Sequence, residues 1–145
     1  MKPLDRDRIM REALVEYLNS KGYDAKEAPT KRYFDVVAYK DEREYRFELK
    51  YRNVDSKKFG DHIFELIKLQ CFERDRKDFE DAYLVSYFTD GILRISNVFN
   101  DEHTIIKRRS PKETEFSNHN FVDKLFVSYT NFKDYKAPES FKTMK

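Results

Sequence analysis

From Arg43 to Arg52 the residues alternate without interruption, with Tyr45, Phe47, Leu49 and Tyr51 on one face and Glu44, Arg46, Glu48, Lys50 and Arg52 on the other. A two-residue period held that long specifies a β-strand with two unlike faces, so the chain must build a sheet around it. Residues 33–39 are rich in aromatic and β-branched side chains and read as a second strand. Between the two, Lys40, Asp41, Glu42 and Arg43 suit a tight turn. A hairpin centred between Asp41 and Glu42 sets residues whose numbers sum to 83 opposite one another, which places Asp35 across from Glu48. Directly opposed residues share a face with Cβ atoms roughly 4.5 to 5.5 Å apart. Lys50 lies on that same face.

Opposed carboxylates repel, and a bound cation removes the penalty. Mg²⁺ takes oxygen ligands and commonly uses one or two protein carboxylates, leaving its other positions to water and phosphate oxygens. The acid-x-Lys tripeptide is weak by itself, since it occurs five times in the chain. Only Glu48 to Lys50 lies in an amphipathic strand preceded by an apolar strand with its own acid at hairpin register. The competing reading makes residues 44–52 the solvated face of a sheet, its alternating signs forming cross-strand pairs.

Asp35, Glu48 and Lys50 in this arrangement resemble the PD-(D/E)XK nuclease superfamily, and the resemblance extends over residues 5–90. The short spacing looks most like the archaeal Holliday-junction resolvases. The sequence departs from the pattern at Phe34, where the family name has proline. The resemblance implies an α/β fold with a restriction-endonuclease-like core: a helix, a three-stranded antiparallel meander, a helix and further strands, giving a mixed sheet flanked by helices. It also implies Mg²⁺- or Mn²⁺-dependent hydrolysis of phosphodiester bonds, with DNA the expected substrate. Asp35, Glu48 and the Leu49 carbonyl would hold the metal and Lys50 would assist the attacking water. Many members carry a further acid on the first helix, for which Glu12 and Glu16 are candidates. Glu16 lies nearer the apolar stripe, while Glu12 lies nearer the chain position that the resemblance suggests and is preferred. The alternative on the same fold is a nucleic-acid- or protein-binding module without turnover.

The flanking elements are legible without the resemblance. Residues 5–21 carry Ile9, Met10, Ala13, Leu14, Tyr17 and Leu18 at helical spacing, with acids in the first turn and Gly22 just past the end. Residues 23–28 read as a short strand closed by Pro29, and 53–61 as a polar loop. Helical spacing returns over 62–79, followed by apolar strands at 82–88 and 91–98 around a Thr-Asp-Gly turn. A further strand is expected at 125–129, and the polar end from about 133 is a candidate for disorder.

The 145 residues suit one domain, and 13 Phe with 10 Tyr against 3 Gly and 4 Pro argue for a packed core. The single cysteine, Cys71, cannot form an internal disulfide and is expected as a small core residue in a reducing compartment. The first twenty residues are too charged for a signal peptide and no run approaches spanning length, so the expectation is a cytoplasmic protein with no membrane partner. A net charge of +2 does not by itself imply nucleic-acid binding. Its distribution supplies candidates: Lys57 and Lys58 after the motif, Lys68 on the second helix, and Arg108 and Arg109 in the densest basic cluster. The small size fits action as a homodimer. Three scattered histidines and one cysteine exclude a Cys/His zinc site, and no Gly-rich phosphate loop is present.

Overall fold

The computed structural model describes residues 3–100, 102–103, 105–111, 121–139 and 141, with 3–4, 105–111 and 121–122 described by backbone alone. The chain begins with helix α1 (Pro3–Ser20). Its buried stripe is Met10, Ala13, Leu14 and Leu18. Gly22 ends it in the left-handed conformation, φ 91°, and two bonds close the turn, Gly22 N to Asn19 O at 3.2 Å and Tyr23 N to Leu18 O at 3.1 Å.

Strands β1 (Asp24–Glu27), β2 (Val36–Lys40) and β3 (Arg43–Arg52) follow as an antiparallel meander. The turn between β2 and β3 is two residues long, with Asp41 and Glu42 both at positive φ, 53° and 64°, as a hairpin of this type requires. Lys40 pairs with Arg43 and Val36 with Phe47, so the register is the expected one. Strand β5 (Asp81–Phe88) then lies parallel to β3, and β6 (Ile92–Asn97) returns antiparallel.

The structure departs from the sequence reading in several places, among them an unexpected strand at Ile105–Pro111 and an expected strand at 125–129 that starts earlier, at Phe121. Residues 61–65, read as the end of a loop and the start of a helix, form strand β4 (Asp61–Glu65), and the helix is the shorter α2 (Leu66–Arg74) with a 3-10 turn at Arg76–Asp78. The partner of β4 is β8 (Phe121–Ser128), some sixty residues away, and a local periodicity cannot announce so distant a pairing. The end from 133 was expected to be loose, yet Lys133–Lys136 forms β9 on the edge of the main sheet, beside β6. All four β9 residues are exposed, which is why the segment reads as polar; Ala137 and Phe141 beyond it are buried. Cys71 is only half-buried, and its neighbour Phe72 takes the core position.

The result is a six-stranded mixed sheet in the order β1-β2-β3-β5-β6-β9, with a three-stranded sheet, β4-β8-β7, in which β7 is Ile105–Pro111. Helix α1 and the segment at Ala137 and Phe141 cover one face of the large sheet over Val36, Ala38, Phe47, Val85 and Tyr87. Helix α2 and the small sheet cover the other over Phe34, Val37, Ala82, Leu84 and Phe88. Strand β3 is therefore enclosed on both sides. Its charged face is not solvated: Arg46 is 6%, Glu48 8% and Arg52 9% exposed. Buried charges persist only when paired. Arg46 is held by Glu44 at 2.5 Å and the Tyr33 hydroxyl at 2.6 Å, sandwiched between the rings of Phe34 and Phe79. No helix among the described residues is long and apolar enough to cross a membrane.

Candidate functional site

Pairing between β2 and β3 ends at Val36 and Phe47. Asp35 stands one residue beyond it: its amide donates to Phe47 O at 2.8 Å, and its carboxylate turns back to accept from the Leu49 amide, also at 2.8 Å. The carboxylate thus takes the place of a strand carbonyl at the point where β2 leaves the sheet. Because backbone polar groups alternate sides along a strand, the Leu49 carbonyl faces the same open edge.

The edge opens into a cleft of about 270 Å³ between the start of α1, the end of the β2–β3 hairpin, β4, α2 and β8. Four acids line it, Asp7, Asp35, Glu48 and Glu65, with four bases, Arg11, Lys50, Lys68 and Lys124. Glu48 is the most constrained of these. Its Oε1 accepts from Lys68 Nζ at 2.7 Å, whereas its Oε2 is buried and accepts from no described donor. Burial first, and the Asp35 carboxylate second, push the Glu48 pKa up to about 8 against the pull of Lys68. Burial pulls the Lys68 pKa down, but the charge and hydrogen bond of Glu48, with Asp35 behind it, more than offset this and raise it.

The structure gathers Asp35, Glu48, Leu49, Lys50 and Lys68 into one cleft. It does not bring Glu12 there. Glu12 and Glu16 line a shallow groove on the β1 side of α1, and the half-exposed Glu12 carboxylate pairs with Arg8 at 3.4 Å. The first-helix acid at the cleft is Asp7, whose pKa is raised by partial burial and by the charge of Asp35. The sequence holds its signal: Asp7 stands three residues before Met10 and seven before Leu14, so it continues the buried stripe into the first turn.

Lys124 is a second residue that sequence reasoning missed. It is 8% exposed and lies opposite Glu65 in the β4–β8 register, a placement that only the non-local pairing fixes. Lys57 and Lys58 lie outside the cleft, exposed on the loop after β3. Arg108 and Arg109 are on β7, paired in register with Lys124 and Asp123, and their side chains lie outside the described residues.

The donor set suits a hard divalent cation. It offers two carboxylates, one with a buried oxygen lacking a donor, and a backbone carbonyl on an open edge. Among the described residues no three His, Cys, Asp or Glu side chains form a ready cage. The cations around the acids can meet an anionic ester.

Comparison with solved structures finds a similar fold in Archaeoglobus fulgidus Hjc, a Holliday junction resolvase from an archaeal hyperthermophile, with a TM-score of 0.51 and 16% identity over 80% of each chain. At that identity the likeness is one of fold, and it assigns the restriction-endonuclease-like α/β architecture. No protein-family model and no curated protein matches the sequence.

Proposed function

We propose that this protein is a Mg²⁺- or Mn²⁺-dependent nuclease of the PD-(D/E)XK type that hydrolyses phosphodiester bonds in DNA. The observation that carries the reading is the buried Glu48 carboxylate, half-satisfied by Lys68 and set beside Asp35 in a cleft lined by Lys50. A module without turnover would have no use for a buried oxygen lacking a donor, because such an atom costs roughly 1 to 3 kcal/mol. The fold shared with a Holliday junction resolvase supports the same reading.

Asp35, Glu48 and the Leu49 carbonyl would hold the metal, which when bound supplies Lewis-acid polarisation of the phosphoryl group and a lowered pKa for water. Lys50 orients the attacking water or offsets the charge that develops on the phosphate. Lys68 positions Glu48. Asp7 replaces Glu12 as the first-helix acid, with the Arg11 charge one turn on acting against the rise in its pKa. Lys124 within the cleft, and Lys57, Lys58, Arg108 and Arg109 outside it, contact the phosphate backbone.

The test is incubation with plasmid, linear duplex, single strands and a four-way junction in Mg²⁺, Mn²⁺ or EDTA. Cleavage is expected only with metal. Glu48→Ala and Lys50→Ala should each abolish it with the circular dichroism spectrum retained, and Asp7→Ala should slow it while Glu12→Ala does not. Cleavage that persists in EDTA, or a Glu48→Ala variant that cuts normally, overturns the assignment.

A further inference from the structure

The loop between β3 and β4 is fastened at three points. Thr89 N donates to Val54 O at 3.0 Å, and Tyr129 N to Gly60 O at 2.7 Å. Ser56, 5% exposed, gives its hydroxyl to Asp90 at 2.6 Å while its carbonyl accepts from Arg94 at 2.8 Å. Within the loop the Asp55 carboxylate accepts from the Lys57 amide at 2.8 Å and its backbone carbonyl from the Lys58 amide at 3.0 Å. Beside the exposed Asn53, Asp55 and Gly60, this fastened loop presents Lys57, Lys58 and Phe59 outward.

Phe59 is 45% exposed, one of the large hydrophobics that stand out on the described surface together with Tyr39, Ile67 and Tyr135, and the one among them that follows two lysines. Its inner face is already used, since the buried Arg52 guanidinium lies 4.9 Å from the ring centroid. Arg52 shares the strand face of Glu48 and Lys50, two residues beyond Lys50 and therefore about 7 Å along β3. An aromatic ring that follows two lysines and is backed by a cation one strand step from Lys50 of the cleft has the makings of a base-stacking platform, because every unpaired base offers a π-face and a nearby phosphate.

We propose that Phe59 stacks on an unpaired base of the nucleic acid that the cleft engages, so that the protein favours strands carrying unpaired nucleotides over continuous duplex. This rests on the nuclease reading and narrows its substrate. A fully stacked duplex keeps its base faces inside, so it can give the lysines its phosphates but gives Phe59 nothing.

The test uses the full chain in EDTA at low salt, with oligothymidylate, a duplex bearing a single-stranded flap and a fully paired duplex. The chain has no tryptophan, so Phe59→Trp introduces a single reporter. Its fluorescence should be quenched on adding oligothymidylate or flapped DNA and change little with paired duplex. Phe59→Ala should lower the preference for flapped over paired DNA by about tenfold to a hundredfold, and Phe59→Trp should preserve it. Tryptophan emission unmoved by bound oligothymidylate, or a preference unchanged in Phe59→Ala, overturns the platform and leaves the nuclease reading standing. Emission that shifts with protein concentration alone assigns Phe59 to contact between copies and overturns it too. Failure of the wild-type protein to bind any of the three DNAs removes both.

Discussion

Asp35 does two things with one carboxylate. It closes the open edge of β3 by accepting from the Leu49 amide, and its charge raises the proton affinity of Glu48. An acid whose folded pKa is raised contributes stability below its unfolded pKa of about 4.5 and loses that contribution as pH rises towards the folded value of about 8. The metal-free protein should therefore be strained at pH 8. Asp35→Asn keeps an oxygen for the Leu49 amide and removes the charge, so in EDTA at pH 8 it should be as stable as the wild type or more so. The gain should be about 0.2 to 1 kcal/mol, the scale for directly opposed like charges. It should also lose the stabilisation that Mg²⁺ or Mn²⁺ gives by binding only the folded state. Thermal unfolding of both proteins in EDTA and in millimolar metal reads this out. A variant clearly less stable in EDTA at pH 8 would make Asp35 a structural acid, and a variant still stabilised by metal would remove it from the ligand set.

At the scale of elements, β3 shows how far alternation can be trusted. The period located the strand, the turn and the register, because a two-residue hairpin turn is local and leaves little freedom in pairing, and Asp35 stands just past the last pair, beside Glu48. It could not say what lies above the charged face, since β4 and β8 cover it by a pairing between segments some sixty residues apart. Asp7 was legible in principle from its spacing to Met10, and Lys124 was not. The buried charges give the element its own test. Arg46 has a side chain 7% exposed and anchors β3 to the C-terminal end of α2 through Tyr33 and Asp75. Arg43 begins the same strand on its other face, with a 61% exposed side chain paired loosely to Glu80 at 3.6 Å. Arg46→Ala should cost about 3 kcal/mol because Glu44 loses its cation in a largely buried setting while Asp75 keeps Arg74, and Arg43→Ala about 0 to 1 kcal/mol. Urea unfolding that gives the two variants equal losses would show that the polar face of β3 is solvated after all.

The molecule as a whole is two sheets joined across one face, and a short polar chain crosses the junction. His62 of β4 meets Ser86 of β5 at 2.7 Å, and Ser86 meets the Tyr129 hydroxyl, just after β8, also at 2.7 Å. His62 is 1% exposed and stacks on Phe132 at 5.7 Å between centroids. Burial, with the charges of Lys50 and Arg52, holds its pKa down to about 3. A base whose folded pKa is depressed costs nothing above its unfolded pKa of about 6.5; below that the unfolded chain takes up the proton and the folded one does not. Stability should accordingly fall by up to about 1.4 kcal/mol for each pH unit between about 6.5 and 3. Glu48 contributes a slope of opposite sign between about 4.5 and 8, and it is common to both proteins when wild type is compared with His62→Gln in EDTA. The difference between them isolates the histidine. His62→Gln keeps a hydrogen-bonding group for Ser86 and loses the ring stacking, so at pH 8 it should be the less stable protein. As pH falls through 6 and 5 the gap should narrow and then reverse, because only the wild type has a buried base that must stay unprotonated. Urea midpoints measured from pH 8 to pH 4 give the comparison, and parallel curves would show that His62 takes up its proton without opening the junction between the sheets.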